Sequence, residues 1–154
     1  MDIADLVTSQ GVIARLRATS KKQVLQEMAH RAAELTGIDE RAIFDVLIER
    51  ERLGTTGVGH GIAIPHGKLA RLDRLHGLFA RLDPAIAFDS IDDQPVDLVF
   101  LLLAPESAGA DHLKALARVS RLLRDKAVCA KLRAADKPDQ LYDLLTRAPT
   151  SVAA

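Results

Sequence analysis

The chain is poor in the residues that nucleic-acid-binding proteins use most. It has no tryptophan and a single tyrosine, so an aromatic platform on which unstacked bases could lie is not expected. Its 21 lysines and arginines balance 21 aspartates and glutamates. A net charge of zero gives no reason to expect nucleic acid or an anionic membrane surface as a partner. Both classes of partner are therefore disfavoured.

Long apolar runs and paired cysteines are also missing. The longest apolar stretch, residues 98–104, has the length of a strand and is too short to cross a membrane. Cys129 is the single cysteine and cannot form an internal disulfide, so a reducing compartment is expected. The first residues lack the basic region of a signal peptide. We therefore expect a cytoplasmic protein without membrane insertion, and 154 residues suit one domain with a sizeable core.

Glycine, in contrast, is concentrated in one segment, residues 54–68, together with Pro65 and two histidines. Glycine allows backbone N–H groups to turn toward an anion because no Cβ blocks close approach or positive φ. Pro65 fixes the direction of the chain just before His66. The composition predicts a rigid loop that displays the His66 imidazole among backbone donors, a plausible site for a histidine that accepts a phosphoryl group.

Two nucleotide-binding motifs are excluded for this segment. Gly54 and Gly59 have the spacing of a Walker loop, but His60 and Gly61 follow where Lys and Ser or Thr are required. A dinucleotide fingerprint needs a third glycine three residues after the second and a strand in front. Neither condition is met, because Ile62 occupies that position and the preceding residues have helical spacing.

The rest of the chain alternates helical and strand patterns. Ser20 begins a helix with a capping-box pattern, and Gly37 ends it. A second helix is predicted from Asp39 to about Leu53, and Asp111 is expected to cap a third. That third helix should bury Leu113, Leu116, Ala117, Leu122 and Leu123. Further helices are expected over residues 126–134 and from 138 to 145, and strands over 12–16, 62–64, 77–82 and 96–104, the last buried on both faces.

These patterns indicate an α/β protein (α+β in strict schemes), a single domain whose sheet is covered by helices on both faces. The segment Gly-Ile-Ala-Ile-Pro-His66-Gly resembles the active-site segment of IIA components of the bacterial phosphoenolpyruvate-dependent phosphotransferase system, in the mannitol/fructose/nitrogen class. Arg50-Glu51 ahead of it, the run from Ile91 to Phe100, and Asp111-His112-Leu113 agree with the same family. The segment Ile91-Asp-Asp-Gln-Pro-Val-Asp and the region around Cys129 are most similar to the nitrogen-related, regulatory subgroup.

The resemblance implies a mixed β-sheet in three layers over residues 1–148, with 149–154 as a disordered tail. It implies that His66 accepts a phosphoryl group from the phosphohistidine of a small HPr-type carrier protein, with no cofactor. Arg50 and His112 are then expected to bind that group. The surrounding loop, Thr56, Gly57, Gly59, Gly61 and Gly67, is expected to enclose it without a metal.

Other roles remain open for each of these residues. His66 could be a loop histidine bonded to backbone, His112 a solvent-facing residue, and Arg50 one of several solvated charges, with Arg52 as the competing arginine. Thr56 could cap the turn. At the level of function, a phosphorylation-dependent regulator is the favoured hypothesis. The alternatives are a sugar-transport IIA that passes the phosphoryl group to a separate IIB protein, and a simple anion-binding domain.

Overall fold

Six strands form one mixed sheet between two layers of helices. The computed structural model describes residues 1–147; residue 148 and the tail expected at 149–154 lie outside the described part. After a short 3-10 helix, Ile3–Asp5, the strands are β1 Val7–Leu16, β2 Gly57–Gly59, β3 Ile62–Ala63, β4 His66–Leu69, β5 His76–Ile86 and β6 Val96–Pro105. The helices are α1 Lys21–Thr36, α2 Glu40–Arg52, α3 Ala110–Leu123, α4 Lys126–Ala134 and α5 Pro138–Arg147.

The strand order is β1-β5-β6-β3-β2, and β4 pairs with β6 beyond the end of β3. β1 is parallel to β5, β5 is antiparallel to β6, and both β3 and β4 are parallel to β6. The sheet is therefore mixed, as expected. β1 is an edge strand but longer than residues 12–16, because its solvent-facing residues 8–10 are polar and escape a hydrophobic pattern. β5 likewise extends beyond 77–82.

The central strand β6 explains the three-layer architecture. Val99, Leu101 and Leu103 belong to one apolar core, which contains the buried faces of α1 and α2. The intervening Leu98, Phe100 and Leu102 belong to a second core with α3, α4 and α5. Because alternate side chains of a strand point to opposite faces, an uninterrupted aliphatic run requires helices on both sides. No helix within residues 1–147 has the length and apolar character needed to cross a membrane.

The boundaries of the first two helices agree with their capping residues. Ser20 Oγ accepts a hydrogen bond from the Gln23 amide at 3.1 Å, and the Asp39 carboxylate accepts one from Ala42, also at 3.1 Å. Gly37 ends α1 with φ of 76°, a conformation that glycine adopts without steric cost. At its other end α2 is closed by the Leu53 amide, which donates to the carbonyls of Arg50 and Glu51 just before the glycine-rich segment.

In α3, Leu122 and Leu123 are buried as predicted and Leu116 packs against the core. The predicted start, and the predicted burial of Leu113 and Ala117, were wrong. The helix begins at Ala110. Its N-cap residue is Gly109, which adopts φ of 57°, and Asp111 lies within the first turn. The buried residues are His112, Ala115, Val119, Leu122 and Leu123. Leu113 is 70% exposed, and Ala117 is exposed as well. The reason is that His112, a polar residue, takes the inward position that a hydrophobic pattern assigns to its leucine neighbour.

The glycine-rich segment is also more regular than predicted. β2 and β3 form a short antiparallel hairpin, and β3 and β4 both run along β6, pairing Ile62 with Leu98 and His66 with Leu102. They are two pieces of one interrupted strand, and Pro65 lies in the interruption, where its carbonyl accepts the Leu102 amide at 2.9 Å. His66 is thus the first residue of a strand and not part of a loop.

Candidate functional site

His66 is held in one orientation by its own backbone. Its Nδ1 lies 2.9 Å from the carbonyl oxygen of Ile64. A carbonyl can only accept, so Nδ1 carries the proton of the neutral ring. Nε2 then keeps its lone pair and is the nitrogen available for attack. The sequence alone could not distinguish between the two nitrogens.

Arg50 reaches this nitrogen from the last turn of α2. Its Nε–H donates to His66 Nε2 at 3.2 Å, and its Nη1 donates to the carbonyl of Gly54 at 2.9 Å. The two bonds leave Nη2 for another acceptor. The competing Arg52 is exposed and pairs with Glu49. Of the two arginines on this turn, the structure brings Arg50 to His66.

His112 approaches from the first turn of α3. Its ring centroid is 5.7 Å from that of His66, at an interplanar angle of 69°. The residue is 8% exposed, and its Nε2 is buried without a hydrogen-bond partner among the described residues. An unpaired buried polar atom is unfavourable, so this nitrogen is poised for an acceptor or donor that enters the site.

Burial keeps both histidines in the neutral form. It is the main reason that the pKa of His66 lies below its usual value of 6.5, and the Arg50 charge lowers it further. The Ile64 hydrogen bond and the Glu51 charge act in the opposite direction. The pKa of His112 is also lowered, by burial and then by the neighbouring His66 and Lys68. Both rings therefore have an unprotonated nitrogen at neutral pH.

Behind the site lies a buried carboxylate that the sequence patterns did not single out. The Glu51 side chain is 6% exposed and forms a salt bridge with Lys21 at 2.7 Å. It accepts the Thr56 amide at 3.1 Å and also a short hydrogen bond from the Thr56 hydroxyl. Arg50 and Glu51 are thus consecutive residues that both bind the turn after α2. Thr56, predicted to surround the phosphoryl group, directs its hydroxyl to Glu51 instead.

The glycines have close neighbours that explain their identity. A Cβ on Gly57 would lie 2.5 Å from the Ser90 hydroxyl, and one on Gly67 would lie 2.3 Å from a methyl of Val46. Gly59 faces Asp92, while a Cβ on Gly61 would meet Arg133 and Asp97. Gly67 is therefore the glycine that lets α2 pack directly against the strand of His66. The structure does not bring Gly59 and Gly61 to the histidine pair.

Several amides of the segment are already bonded within the protein. The Gly57 amide donates to the Thr55 hydroxyl at 3.0 Å, and the His60 amide donates to Asp92 at 2.9 Å. The prediction of open backbone donors around His66 is therefore not met at Thr56, Gly57 and His60. His60 lies at the hairpin turn, where its carbonyl accepts from Arg133 at 2.7 Å. Within residues 1–147, no group of three or more His, Cys, Asp or Glu side chains could hold a metal ion.

A mixed sheet between two helical layers, with two facing histidines and an arginine at the start of β4, defines a phosphotransferase domain of the IIA class. The chain belongs to the family described as phosphoenolpyruvate-dependent sugar phosphotransferase system, EIIA 2, which matches residues 5–148. Membership of this family makes the protein a component of phosphoryl transfer.

Relatives cover the chain almost completely. A nitrogen regulatory protein of Bradyrhizobium diazoefficiens is 60% identical over 153 residues, covering 99% of this chain and 100% of that protein. The crystal structure of the nitrogen regulatory protein IIA-Ntr from Neisseria meningitidis superposes with a TM-score of 0.88 at 30% identity, covering 94% of this chain and 99% of that one. A fructose-specific EIIA component of Haloferax volcanii is 36% identical over 149 residues, covering 94% of this chain and 97% of that protein.

Proposed function

We propose that Nε2 of His66 accepts a phosphoryl group from the phosphohistidine of a small HPr-type carrier protein. The observation that carries this proposal is the bond from Nδ1–H to the Ile64 carbonyl, since it leaves the Nε2 lone pair directed at the Arg50 guanidinium. Neutral imidazole needs no general base for the attack.

The transfer is balanced without a proton shuttle. A bond forms between His66 Nε2 and phosphorus while the bond from phosphorus to the carrier's imidazole nitrogen breaks, and that nitrogen takes back its electron pair. The proton stays on Nδ1 of His66 and continues to donate to the Ile64 carbonyl, which stabilises the positive charge that the ring acquires. Arg50 must release the Nε2 lone pair, and its guanidinium is then free to bind the phosphoryl oxygens.

His112 and Arg50 stabilise the charge that spreads over the phosphoryl oxygens in the transition state. The unpaired Nε2 of His112 supports this role, because a proton on it would donate to a phosphoryl oxygen. The glycines of the segment act mainly through packing, and Gly67 does so beside the nucleophile.

We further propose that phosphorylation of His66 regulates which proteins this domain binds. The nitrogen regulatory relative, aligned over 99% of this chain, supports a regulatory role over a transport role. A phosphoryl group adds about −1.5 to −2 charges, placed here on His66 beside Arg50 and His112. The carrier and the regulatory targets are expected in the cytoplasm. The second candidate, a transport role with a separate IIB protein as acceptor, is favoured by the fructose-specific relative.

The decisive experiment is intact mass spectrometry after incubation with phosphoenolpyruvate, Enzyme I and an HPr-type carrier. We expect one acid-labile phosphoryl adduct, absent from His66→Ala. Arg50→Ala and His112→Ala should slow transfer, by about a hundredfold for Arg50, while Arg52→Ala on the same turn should react like the wild type. An adduct that persists in His66→Ala would refute the proposal, and equal rates in the two arginine variants would refute the role of Arg50.

A second experiment distinguishes regulation from transport. Pull-downs with unmodified and phosphorylated protein should recover different partners if phosphorylation is regulatory. Rapid loss of the phosphoryl group to a purified fructose-type IIB domain would instead support the transport role.

A further inference from the structure

A second feature of the fold is an open groove that the histidine site does not use. It encloses about 810 Å³ between the β2–β3 hairpin and helices α3 and α4. Arg50, His66 and His112 are not among its lining residues, which are Val58, Gly59, His60, Ile62, Ile64, Ser120, Leu123, Arg124, Lys126, Cys129 and Arg133. A volume of several hundred Å³ is typical of a small-molecule site.

The floor of the groove is apolar. Ile62 lies in β3 and Ile64 directly follows that strand, and both side chains belong to the core on the side of α3 to α5. Leu123 and Cys129 face them from α3 and α4. These four residues are each 5% exposed or less, and Val58, which is 47% exposed, is the most accessible apolar side chain of the groove. Val58 and the edge of this floor are available to the hydrocarbon or aromatic part of a ligand, whose burial is favourable in proportion to its apolar area.

The charged side chains that line the groove are all basic. Arg124, Lys126 and Arg133 line it, together with His60, and no carboxylate residue does. In a chain with 21 basic and 21 acidic residues, this is a local excess of positive charge. Arg133 is neutralised by its salt bridge to Asp97 at 2.9 Å. Arg124 and Lys126 have no salt-bridge partner within residues 1–147.

The apolar surface and the unpaired positive charges of the groove together determine which class of ligand fits it. An inorganic anion would match the two unpaired cations but would leave the exposed Val58 side chain uncovered. A neutral apolar molecule would cover the floor and leave the cations unused. We propose that the groove binds a small anionic amphiphile, a hydrocarbon or aromatic body that carries a carboxylate or phosphate beside Arg124 and Lys126.

The test uses the complete, unphosphorylated chain and the fluorescent anion 1-anilinonaphthalene-8-sulfonate as probe. We expect saturable binding at one site and displacement by decanoate or decyl phosphate, but much weaker displacement by uncharged decanol. The stronger of the two anions identifies the head group. Backbone amide shifts on titration with decanoate should concentrate in residues 58–64 and 120–133. Equal displacement by decanol, or shifts elsewhere, would overturn the proposal.

Variants separate charge from shape. Arg124→Gln combined with Lys126→Gln should weaken binding about tenfold, because two partly exposed charge interactions contribute about that much. The matched control is Arg121→Gln combined with Lys131→Gln, which removes the same charge from exposed positions of the same two helices outside the groove. Ser120→Phe should block the groove without changing charge. Wild-type affinity in either the Arg124/Lys126 variant or Ser120→Phe, with circular dichroism confirming the fold, would refute the site.

Discussion

Replacing Glu51 with alanine should destabilise the protein far more than its place in a charged helix end suggests. The carboxylate is 6% exposed, pairs with Lys21 and accepts two hydrogen bonds from Thr56. Breaking a buried ion pair costs about 3–5 kcal/mol. Lys21 is 19% exposed and has Asp89 within 3.7 Å as a second partner, so the lower end applies. We expect a loss of about 3 kcal/mol in the free energy of unfolding, or about 6–12 °C in Tm for a domain of this size.

The same change should also slow phosphoryl transfer in the molecules that remain folded. Without Glu51, the Thr56 amide and hydroxyl lose their acceptor, and the turn after α2 is less firmly held. Gly54, whose carbonyl accepts a bond from Arg50 Nη1, belongs to that turn. A small displacement of Arg50 from His66 should lower the transfer rate about tenfold or more, because transfer depends on the placement of charged groups.

Urea unfolding followed by far-UV circular dichroism measures the stability, since the chain has no tryptophan. The transfer rate is measured under conditions where every variant is fully folded. Glu49→Ala is the matched control, because Glu49 lies on the same helix but forms an exposed pair with Arg52; it should change stability by less than about 0.5 kcal/mol. The reasoning fails if the two variants differ by less than that. An unchanged transfer rate in folded Glu51→Ala would show that the turn does not position Arg50.

Three further changes test separate parts of the structure. Gly67→Ala should slow phosphoryl transfer, because the new methyl would lie 2.3 Å from Val46 and push α2 away from β4. Adding Val46→Ala should restore the transfer rate, and a rate that is not restored would contradict the proposed clash. In a His30→Gln background, the free energy of unfolding measured in urea should fall as pH drops below 6.5. The folded state lowers the pKa values of His66, His76 and His112, so as the pH falls these histidines are protonated in the unfolded chain before they are protonated in the folded protein. His30 is replaced because its hydrogen bond to Glu40 raises its pKa, which gives the opposite pH dependence: its contribution to stability is complete below the pKa of the unfolded state and is lost as pH rises through the pKa of the folded state. A free energy of unfolding that stays constant from pH 7.5 to 5.5 would contradict the lowered pKa values of the other three histidines. Finally, Leu113→Ala should change the free energy of unfolding by less than about 0.5 kcal/mol, and Leu123→Ala should lower it by about 2–5 kcal/mol in the same assay. Similar losses in the two variants would mean that α3 does not turn Leu113 to solvent.

The sequence predicted those features that depend on local chemistry. Ser20, Gly37 and Asp39 mark helix ends because their side chains or backbone freedom act within a few residues. The aliphatic run of β6 predicts a strand covered on both faces for the same kind of reason. The family resemblance then directed attention to Arg50, His66 and His112, which the fold brings together from two helices and a strand.

Other features depend on contacts that no local pattern contains. Glycine and proline favour a loop around His66, but pairing with β6 makes it a strand. The leucines of α3 suggest a buried Leu113, but the inward position belongs to His112. The partnership of Glu51 with Thr56 arises only when the turn after α2 folds back and Lys21 arrives from another helix.

His66 pairs with Leu102 on the central strand of the sheet, and this pairing determines how the site responds to substitutions elsewhere in the sheet. A functional group on a mobile loop can open and close by itself, whereas one in the central hydrogen-bonded ladder is exposed only when that ladder opens. The amides of β4 that donate to β6 should therefore exchange with solvent more slowly than those of a free loop. Among the strands of residues 1–147, β4 pairs with β6 alone, so His66 is in place only in molecules in which that pairing is intact, and a substitution that weakens the central sheet, however distant from the histidines, also lowers the fraction of molecules able to react.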